Sequence, residues 1–325
     1  MPSALITGVT GQDGQHLSEL LLSKGYEVWG LVRGHSADRI QAYRQEFPDV
    51  HLVEGDLTDL GSLIRAVEVA QPDEVYNLGS LSFVALSFRQ PEATADVTGL
   101  GPLRLLEAIR LSEQPGVRFY QASSSEMFGK VRETPQSEST AFYPRSPYGT
   151  AKAFAHHSCV NYRESYDMWI SCGILFNHEG PRRGSEFVTR KVSRGVARIA
   201  LGLDTHLTLG SLEPRRDWGY AGDYVNAMWL MLQQEQPHDY VIATGEAHSV
   251  RDLVVTALQS AGLEPDVERY VRFDKSLLRP AEVDFLVGDA SRARDELGWA
   301  PSVDFVGLVD MMVQHDLRLA ASSRD

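Results

Sequence analysis

The sequence predicts an α/β protein with a doubly wound parallel sheet and a second, smaller domain towards the C-terminus. Through the first half of the chain, short apolar runs alternate with amphipathic segments, and this alternation is typical of βαβ units. A glycine-rich turn separates the first apolar run from the first amphipathic segment. Prolines divide the second half into short pieces, which indicates a less regular unit after the sheet.

The first half of the chain supplies most of the predicted sheet. Residues 3–9 form a short apolar run that contains Gly8 and predicts the first strand. Residues 15–26 are amphipathic and contain Gly25, a plausible helix stop, and residues 27–33 are strand-like again. A polar loop is expected next. Further strands are then predicted over 50–56, 73–79 and 117–124, and a helix over 98–112. Helices should cover both faces of the parallel sheet.

The second half is expected to return to the sheet before it ends in the smaller domain. Residues 223–234 predict a helix, and residues 239–245 predict a strand of the same type as those in the first half. Prolines interrupt the rest of this half at positions 181, 214, 265, 280 and 301. The domain that contains the sheet is therefore predicted to comprise residues 1–176 plus 218–250, and the second, smaller domain residues 177–217 plus 251–325.

Composition disfavours several classes of protein. The 325 residues are 43% hydrophobic and 23% charged, which provides for a sizeable core and argues against a disordered chain. The net charge of −13, without a basic run, disfavours binding to nucleic acid or to an anionic membrane. We expect neither a signal peptide nor a membrane helix, which needs ~18 apolar residues. Cys159 and Cys172 lack metal-ligand spacing, so reduced thiols and a cytoplasmic location are predicted.

A G-x-x-G-x-x-G pattern follows the first predicted strand. Glycines allow a tight turn and a close approach of the backbone to a pyrophosphate, which the free N–H groups at the start of the next helix would attract. An ordinary glycine-rich turn is the alternative, but the position between a strand and a helix favours a Rossmann-like dinucleotide site. The predicted cofactor contacts in this loop are Gly8, Thr10, Gly11, Gln12, Asp13 and Gly14.

The residue after the second predicted strand favours NADP over NAD. NAD sites usually have an acidic residue here for the ribose 2′-hydroxyl, whereas this chain has Arg33, whose guanidinium suits a 2′-phosphate. A solvated surface arginine is the alternative. Asp56 follows the third strand and is expected near the adenine, although it could equally hold a turn.

Tyr148 and Lys152 are four residues apart in the sequence YGTAK. On a helix this spacing puts both side chains on one face. The nearby ammonium is expected to lower the tyrosine pKa from ~10 towards the working pH. The tyrosine could then take a proton from a sugar hydroxyl as hydride leaves the same carbon. A chance match is the alternative, but the position behind a dinucleotide-binding half favours catalysis.

Longer strings of residues add to these two motifs. They include GVTGQDG, EVYNLG, FYQASSSEMFG, FYPRSPYGTAK, GILFNHEGPRRG, RRDWG and RPAEVD. From about residue 3 to about residue 315, the sequence resembles the GDP-mannose 4,6-dehydratases, which are extended short-chain dehydrogenases/reductases. The resemblance implies a hydro-lyase that acts on GDP-mannose with a tightly bound, recycled NADP.

The implied reaction needs a carboxylate that hydride transfer alone does not. Oxidation at C4 of the hexose gives a 4-ketone, which acidifies the C5 proton. Water is then lost across C5 and C6, and hydride returns to C6. By motif position, Glu126 would handle the C5 proton and the departing hydroxyl, while Ser124 would help to pass the 4-hydroxyl proton to Tyr148. A helix-capping carboxylate is the alternative for Glu126.

The resemblance also implies contacts with both ligands, and surface ion pairs are the alternative for the substrate contacts. Further cofactor contacts are expected at Leu57, Leu78 and His178, besides Tyr148 and Lys152. Substrate contacts are expected at Ser82, Ser125, Asn177, Lys191, Arg216, Arg279 and Glu282. Arginine forks in this set would bind the diphosphate.

Three positions depart from the usual family pattern. Ser124 stands where the family has threonine, which keeps the hydroxyl, and Gly180 stands where it has serine. Gly34 and His35 follow Arg33, where many relatives have a second arginine in a loop that joins dimers into tetramers. We therefore expect a homodimer formed by two helices of each subunit, with a homotetramer as the alternative.

Other functions stay open at this point. A reductase or epimerase of a related nucleotide-sugar would share the fold but would not need Glu126. A non-catalytic dinucleotide-binding regulator is disfavoured, because the whole set of predicted catalytic residues is present. The base and hexose of the substrate could also differ.

Histidines next to the catalytic lysine do not form a metal motif. His156 and His157 are adjacent, so on a helix their side chains point ~100° apart. His156 and Cys159 are three residues apart, but no further ligand set converges on them in the sequence. We interpret these residues as helix packing or interface residues and predict no metal.

Overall fold

The computed structural model describes residues 1–34, 37–114, 116–278, 280–281, 283 and 285–322. Two residues predicted at the substrate, Arg279 and Glu282, lie outside the described residues, and so does His35.

Fourteen strands are present in the described part of the chain. They are β1 (Ser3–Thr7), β2 (Glu27–Val32), β3 (His51–Glu54), β4 (Glu74–Asn77), β5 (Arg118–Ser124), β6 (Trp169–Leu175), β7 (Asn177–Glu179), β8 (Leu207–Leu209), β9 (Arg215–Arg216), β10 (Trp218–Tyr220), β11 (Tyr240–Ile242), β12 (His248–Ser249), β13 (Val271–Phe273) and β14 (Phe285–Leu286).

Thirteen α-helices connect these strands within the same residues. They are α1 (Gln12–Ser23), α2 (Ala37–Glu46), α3 (Leu60–Ala70), α4 (Val84–Ser87), α5 (Pro91–Thr94), α6 (Gly101–Leu111), α7 (Pro147–Tyr166), α8 (Val188–Ala200), α9 (Ala221–Leu232), α10 (Val250–Ser260), α11 (Val267–Tyr270), α12 (Ser291–Leu297) and α13 (Phe305–Ser322). A π-helical segment, Ala95–Leu100, precedes α6, and 3₁₀ turns lie at Ser125–Met127 and Lys275–Leu277.

Seven strands form one parallel sheet in the order β11-β6-β5-β4-β1-β2-β3. The chain moves outward from β1 to β3 and then crosses back to β4, on the other side of β1. The strand order therefore reverses between β1 and β4, and the carboxyl ends of these strands form the crevice in which such sheets bind ligands. The remaining strands form three small sheets: β7 with β10, β8 with β13, and β9 between β12 and β14.

Alternate side chains of the strands enter different cores. In β1, Ala4 and Ile6 pack with apolar residues of α1, α2 and α9, whereas Leu5 packs with residues of α3, α6 and α7. Helices therefore cover both faces of the parallel sheet, which confirms the predicted doubly wound α/β fold.

The polar loop predicted after β2 is wrong, because α2 occupies much of that segment. Tyr43 and Phe47 anchor the helix in the core, with ring centroids 4.8 Å apart. Most other side chains of α2 are exposed. So short an apolar face does not give the repeating pattern by which a helix is recognised in a sequence.

A third core cluster lies away from the sheet and joins α8, α10 and α13. The division of the chain into two domains stays a prediction, and this separate cluster is the packing that supports it. Within the segment assigned to the second domain, however, Leu286, Ala293 and Trp299 pack with α9 and the sheet. The Trp299 indole N–H also donates to the Asp223 carbonyl at 2.8 Å. The stretch around α12 therefore belongs to the core of the sheet.

Two further observations concern membrane-spanning helices and the cysteines. No helix in the described part of the chain combines the length and apolar character that a membrane span requires. Cys159 and Cys172 are both buried, free thiols.

A buried ion pair joins α8 to α13. Arg190 Nη2 lies 2.9 Å from Asp316 Oδ1, and the Ser193 hydroxyl donates to Asp316 Oδ2 at 2.6 Å. The Arg190 guanidinium also donates to the Pro181 carbonyl. The two charged side chains are only 9% and 3% exposed, so removal of one charge would leave the other buried without its partner.

We expect Asp316→Ala to lower the free energy of unfolding by about 3 kcal/mol, because it leaves the buried Arg190 guanidinium without its carboxylate partner. Urea unfolding followed by circular dichroism measures this change. Arg318→Ala, at an exposed position of the same helix, is the control and should cost about 0.5 kcal/mol. Equal losses in both variants would contradict the assignment of the buried pair as a stabilising contact.

Candidate active site

A cleft of about 1280 Å³ opens at the carboxyl ends of the central strands. Every predicted site residue that the structure describes lines it. From the cofactor prediction these are Gly8, Thr10, Gly11, Gln12, Asp13, Gly14, Arg33, Asp56, Leu57, Leu78 and His178. From the substrate and catalytic predictions they are Ser82, Ser125, Asn177, Lys191 and Arg216, and Ser124, Glu126, Tyr148 and Lys152. Residues far apart in the sequence therefore meet in one cavity.

The glycine loop after β1 has no room for side chains. Gly8 has a φ of +70°, and a Cβ there would lie 2.9 Å from Gly79 N. A Cβ at Gly14 would lie 2.5 Å from Gly8 O. Gly11 is the N-cap of α1 and provides no side-chain cap, so N–H groups of the first helical turn are left for an anion. The loop therefore fits a dinucleotide pyrophosphate.

An ion pair links this loop to β7. Asp13 Oδ2 lies 2.8 Å from His178 Nε2, while His178 Nδ1 lies 2.8 Å from the Phe176 carbonyl. Burial acts to raise the pKa of Asp13, but His178 and the hydrogen bonds outweigh it, so the pKa falls well below its usual range. Burial also opposes the charged form of His178, yet Asp13 raises the histidine pKa on balance. The pair thus offsets the negative charge of Asp13 at a loop suited to phosphate.

Ser124 and Glu126 lie where β5 ends in a 3₁₀ turn. The Glu126 backbone N–H donates to Ser124 Oγ at 3.2 Å, so the serine hydroxyl caps the turn. Both residues are buried, with Ser124 8% and Glu126 9% exposed, and both line the cleft. The tight turn is what brings a carboxylate to the same cavity as the hydroxyl two residues before it.

Tyr148 enters the cleft from the first turn of α7. This helix begins at Pro147 after the N-cap Ser146, whose side chain accepts from Gly149 N at 3.0 Å. Burial raises the pKa of Tyr148 to about 12, although a hydrogen bond with Ser124 opposes this shift. Glu126 raises the pKa further, and Arg183 lowers it. The tyrosine hydroxyl therefore lies among the other predicted catalytic groups.

Lys152 lies one turn further along the same face of α7. Its Nζ donates to the Ala122 carbonyl at 2.6 Å and lies 5.7 Å from the centroid of the Tyr148 ring. Burial lowers the pKa of Lys152 to about 8. The expectation that the ammonium would lower the tyrosine pKa is wrong, because desolvation of the Tyr148 hydroxyl dominates.

The sequence prediction missed several arginines that line the cleft, namely Arg39, Arg89, Arg182 and Arg183. Arg183 lies closest to the chemistry, since its charge acts on the pKa values of Tyr148 and Asp13. Its Nε lies 2.9 Å from Glu179 Oε2, and its guanidinium lies over the Phe187 ring at 3.5 Å. The string GPRRG, which contains Arg182 and Arg183, could have indicated these two arginines as site residues. No sequence motif surrounds Arg39 or Arg89 that would have indicated them.

A buried carboxylate orders the loops around Arg216. Asp217 is fully buried and accepts from Thr244 N at 2.9 Å, from the Thr244 hydroxyl at 2.7 Å and from Gly245 N at 2.9 Å. Gly288 N also approaches it at 3.3 Å. These bonds join the loops after β9, β11 and β14, so the position of Arg216 in the cleft depends on three loops at once.

Asp56 and Arg33 occupy the opposite end of the cleft. Asp56 Oδ1 accepts from the N–H and the hydroxyl of Thr58, both at 2.9 Å, so the carboxylate holds a turn as well as lining the cavity. Arg33 directly follows β2 and is exposed.

Among the described residues, no group of three or more His, Cys, Asp or Glu side chains is placed to hold a metal ion.

The combination of fold and site is that of an extended short-chain dehydrogenase/reductase. The UDP-glucose 4-epimerase of Thermus thermophilus, solved in complex with NAD, superposes with a TM-score of 0.84. The alignment covers 96% of this chain and 98% of that structure at 27% sequence identity.

The sequence comparisons specify the family. The family model described as GDP-mannose 4,6 dehydratase matches residues 5–312, and the chain belongs to this family of hydro-lyases. GDP-mannose 4,6 dehydratase 2 of Arabidopsis thaliana is 53% identical over 98% of this chain and 87% of its own length. The human GDP-mannose 4,6 dehydratase is 50% identical over 97% of this chain and 91% of its own length. The predicted family is therefore confirmed.

Proposed function

We propose that this protein is a GDP-mannose 4,6-dehydratase that converts GDP-D-mannose to GDP-4-keto-6-deoxy-D-mannose. Family membership at about half sequence identity supports the reaction. The observation that carries the proposal is that Ser124, Glu126, Tyr148 and Lys152 line one cleft beside a glycine loop suited to a dinucleotide. A reductase or an epimerase would use the hydroxyl groups and the lysine but would leave Glu126 without a task.

We propose NADP as the recycled cofactor. The glycine loop and the start of α1 would hold its pyrophosphate, with Leu57 and Leu78 lining the same region of the cleft. When bound, NADP accepts hydride from C4 of the hexose and later returns it to C6. Arg33 would bind the 2′-phosphate, and Arg39 at the start of α2 also lines the cleft. Neither arginine forms an ion pair with another described residue, so both are available to a phosphate.

Tyr148, Ser124 and Lys152 would remove the proton of the 4-hydroxyl. The hydrogen bond between Tyr148 and Ser124 gives the proton a path from the sugar through the serine to the tyrosine. Tyr148 needs positive charge to act as a base, because burial raises its pKa to about 12. The Lys152 ammonium supplies one such charge below its pKa of about 8.

Glu126 would then carry out the elimination. Once C4 is a ketone, the C5 proton is acidic, and the carboxylate takes it while the C6 hydroxyl departs. The same carboxyl group returns a proton to that hydroxyl, so one molecule of water leaves and Glu126 is regenerated. Return of hydride to C6 requires one proton at C5, and the proton first taken from the 4-hydroxyl balances it. The position of Glu126 favours this role, because the buried carboxylate lines the same cleft as Ser124 and Tyr148.

The substrate diphosphate would lie on the other side of the cleft. Lys191 and Arg216 line it there, and Asn177 and Ser82 offer neutral polar groups. Local cations override the net charge of −13 at this site. Arginine is suited to this task because its guanidinium can bind phosphate oxygens through two hydrogen bonds.

Mass spectrometry of the purified protein with GDP-mannose and a trace of NADP tests the proposal. A dehydratase yields a sugar nucleotide that has lost one water, with no net change in the cofactor. Stoichiometric consumption of NADPH with a 4-keto sugar would instead identify a reductase, and an isomer of unchanged mass would identify an epimerase.

Glu126→Gln should abolish the loss of water, with a fall in kcat of at least about 100-fold, because the amide cannot accept the C5 proton. The affinity for NADP should stay within about twofold. Product formation and cofactor binding are measured separately, by mass spectrometry and by calorimetry. Glu68→Gln, an exposed change on α3, is the control. Turnover of the Glu126 variant at the rate of the control would refute the assigned base.

Arg33→Ala should weaken NADP binding by about tenfold, since it removes a charge-assisted bond to the 2′-phosphate, and should leave NAD binding unchanged. Calorimetry with both dinucleotides measures the difference. Arg44→Ala is the matched control, because Arg44 lies on α2 but outside the cleft. A parallel loss of affinity for NAD and NADP would show that Arg33 does not read the 2′-phosphate.

We propose a homodimer formed through α6 and α7. These helices present large apolar side chains to solvent: Leu111 is 49%, Phe154 47% and Tyr166 52% exposed. A two-fold axis would pair the helices with those of a second copy and cover this face.

We also place the protein in the cytoplasm, where its two buried thiols would stay reduced.

Phe154→Arg should convert the dimer to a monomer, because the charge would be buried at the centre of the proposed interface. Light scattering after size exclusion at several concentrations measures the mass. Val306→Arg, at a 60% exposed position of α13, is the control and should remain dimeric. The proposal fails if the Phe154 variant keeps the mass of the control.

A further inference from the structure

His156 is a buried titratable residue that the proposed reaction does not use. It is 6% exposed and lies on α7, four residues after Lys152 and eight after Tyr148. This spacing puts all three side chains on one face of the helix. The face packs against β5, the strand that ends at Ser124.

Three turns of α7 contact the last three residues of β5. Ser124 interacts with the Tyr148 hydroxyl and opposes the rise of its pKa, and Lys152 Nζ donates to the Ala122 carbonyl at 2.6 Å. His156 Nδ1 lies 3.0 Å from Ser123 Oγ and adds the third contact. The histidine bond therefore continues the same helix–strand contact that holds the catalytic tyrosine and lysine.

The other ring nitrogen of His156 faces a carboxylate. His156 Nε2 lies 3.9 Å from Asp239 Oδ2, and Asp239 directly precedes β11. Arg163 of the same helix donates to both oxygens of Asp239, at 2.8 and 3.0 Å, and Cys172 N donates to Oδ1 at 3.0 Å. The aspartate thus connects two turns of α7 to β6 and to the edge of the sheet.

The charged and titratable groups around His156 come from three elements. Asp239 and the Cys172 thiol favour its protonated form, whereas burial and His157 oppose it, and the pKa of His156 is raised on balance. Burial also raises the pKa of the Cys172 thiol, which leaves Asp239 as the negative charge in the cluster. The Phe142 ring contacts His156 edge-on, with centroids 5.2 Å apart.

From this arrangement we infer that His156 and Asp239 are positioning residues that fix the rotation and height of α7 on β5, and thereby the approach of Tyr148 and Lys152 to Ser124. Three turns of the helix are then tied to the end of the same strand, and only the first two turns carry side chains that touch the reacting groups. A small shift of the helix changes the distance between Tyr148 and Ser124 and slows proton transfer. Binding of the nucleotide-sugar is unaffected, because its diphosphate contacts lie on other elements. The inference rests on the proposed dehydratase reaction.

A double-mutant cycle on the holoenzyme tests this role. His156→Phe and Ser123→Ala should each lower kcat for GDP-mannose by about tenfold, with KM and the NADP affinity within about twofold. Because both substitutions break the same bond, the combined variant should be no slower than His156→Phe alone. His156→Gln, which keeps a donor and an acceptor, should recover most of the activity. Glu164→Gln, at an exposed position of the same helix, is the control and should match the wild type.

A second readout does not depend on turnover. NMR spectra of the full-length holoprotein follow the titration of the His156 imidazole, whose signal is assigned by its absence in His156→Gln. The midpoint of this titration should lie above 6.5, and Ser123→Ala should shift it. Multiplicative losses of kcat in the double variant, or equal increases in KM, would overturn the inference and leave His156 a packing residue. Absence of wild-type turnover with GDP-mannose would refute the proposed function instead, and an unshifted midpoint would separately refute the Ser123 contact.

Discussion

The packing of α7 against the end of β5 is the contact on which the site depends. The strand delivers Ser124 and, through its 3₁₀ turn, Glu126, while the helix delivers Tyr148 and Lys152. The fold alone positions these four side chains, without a bound ligand. Their mutual distances therefore follow from one helix–strand interface, which the bond from Lys152 to the Ala122 carbonyl crosses. The fold places the interface beside the reversal of strand order, where the dinucleotide loop also opens.

Electrostatics in the cleft reconcile an acidic chain with anionic ligands. The net charge is −13, yet several arginines and two lysines line the cavity. Asp13 is the acidic residue in the first turn of α1, and His178 offsets its charge at 2.8 Å. Burial acts in the opposite direction on the two central groups, since it raises the pKa of Tyr148 and lowers that of Lys152. Positive charge near the Tyr148 hydroxyl, such as that of Lys152, is therefore needed before the tyrosine can act as a base.

Local sequence patterns predicted six of the seven strands of the parallel sheet, all but β6, together with the glycine loop and the Tyr148–Lys152 pair, because each is set by short-range periodicity or spacing. The resemblance to a family supplied Glu126, whose chemistry no local pattern indicates. Helix α2 escaped prediction because two buried aromatic residues anchor it without an apolar stripe. The contribution of Arg183 and the raised pKa of Tyr148 depend on burial and on neighbours distant in the chain. Such properties arise only when the elements are packed together.

The most direct test of the account follows one hydrogen atom. GDP-mannose labelled with deuterium at C4 is incubated with the enzyme and excess unlabelled NADPH, and the product is examined by mass spectrometry and NMR. The account predicts that the deuterium is retained and appears at C6 of the same sugar, because the hydride leaves and returns within one cleft. Deuterium lost to the NADPH pool, or retained at C4, would contradict it.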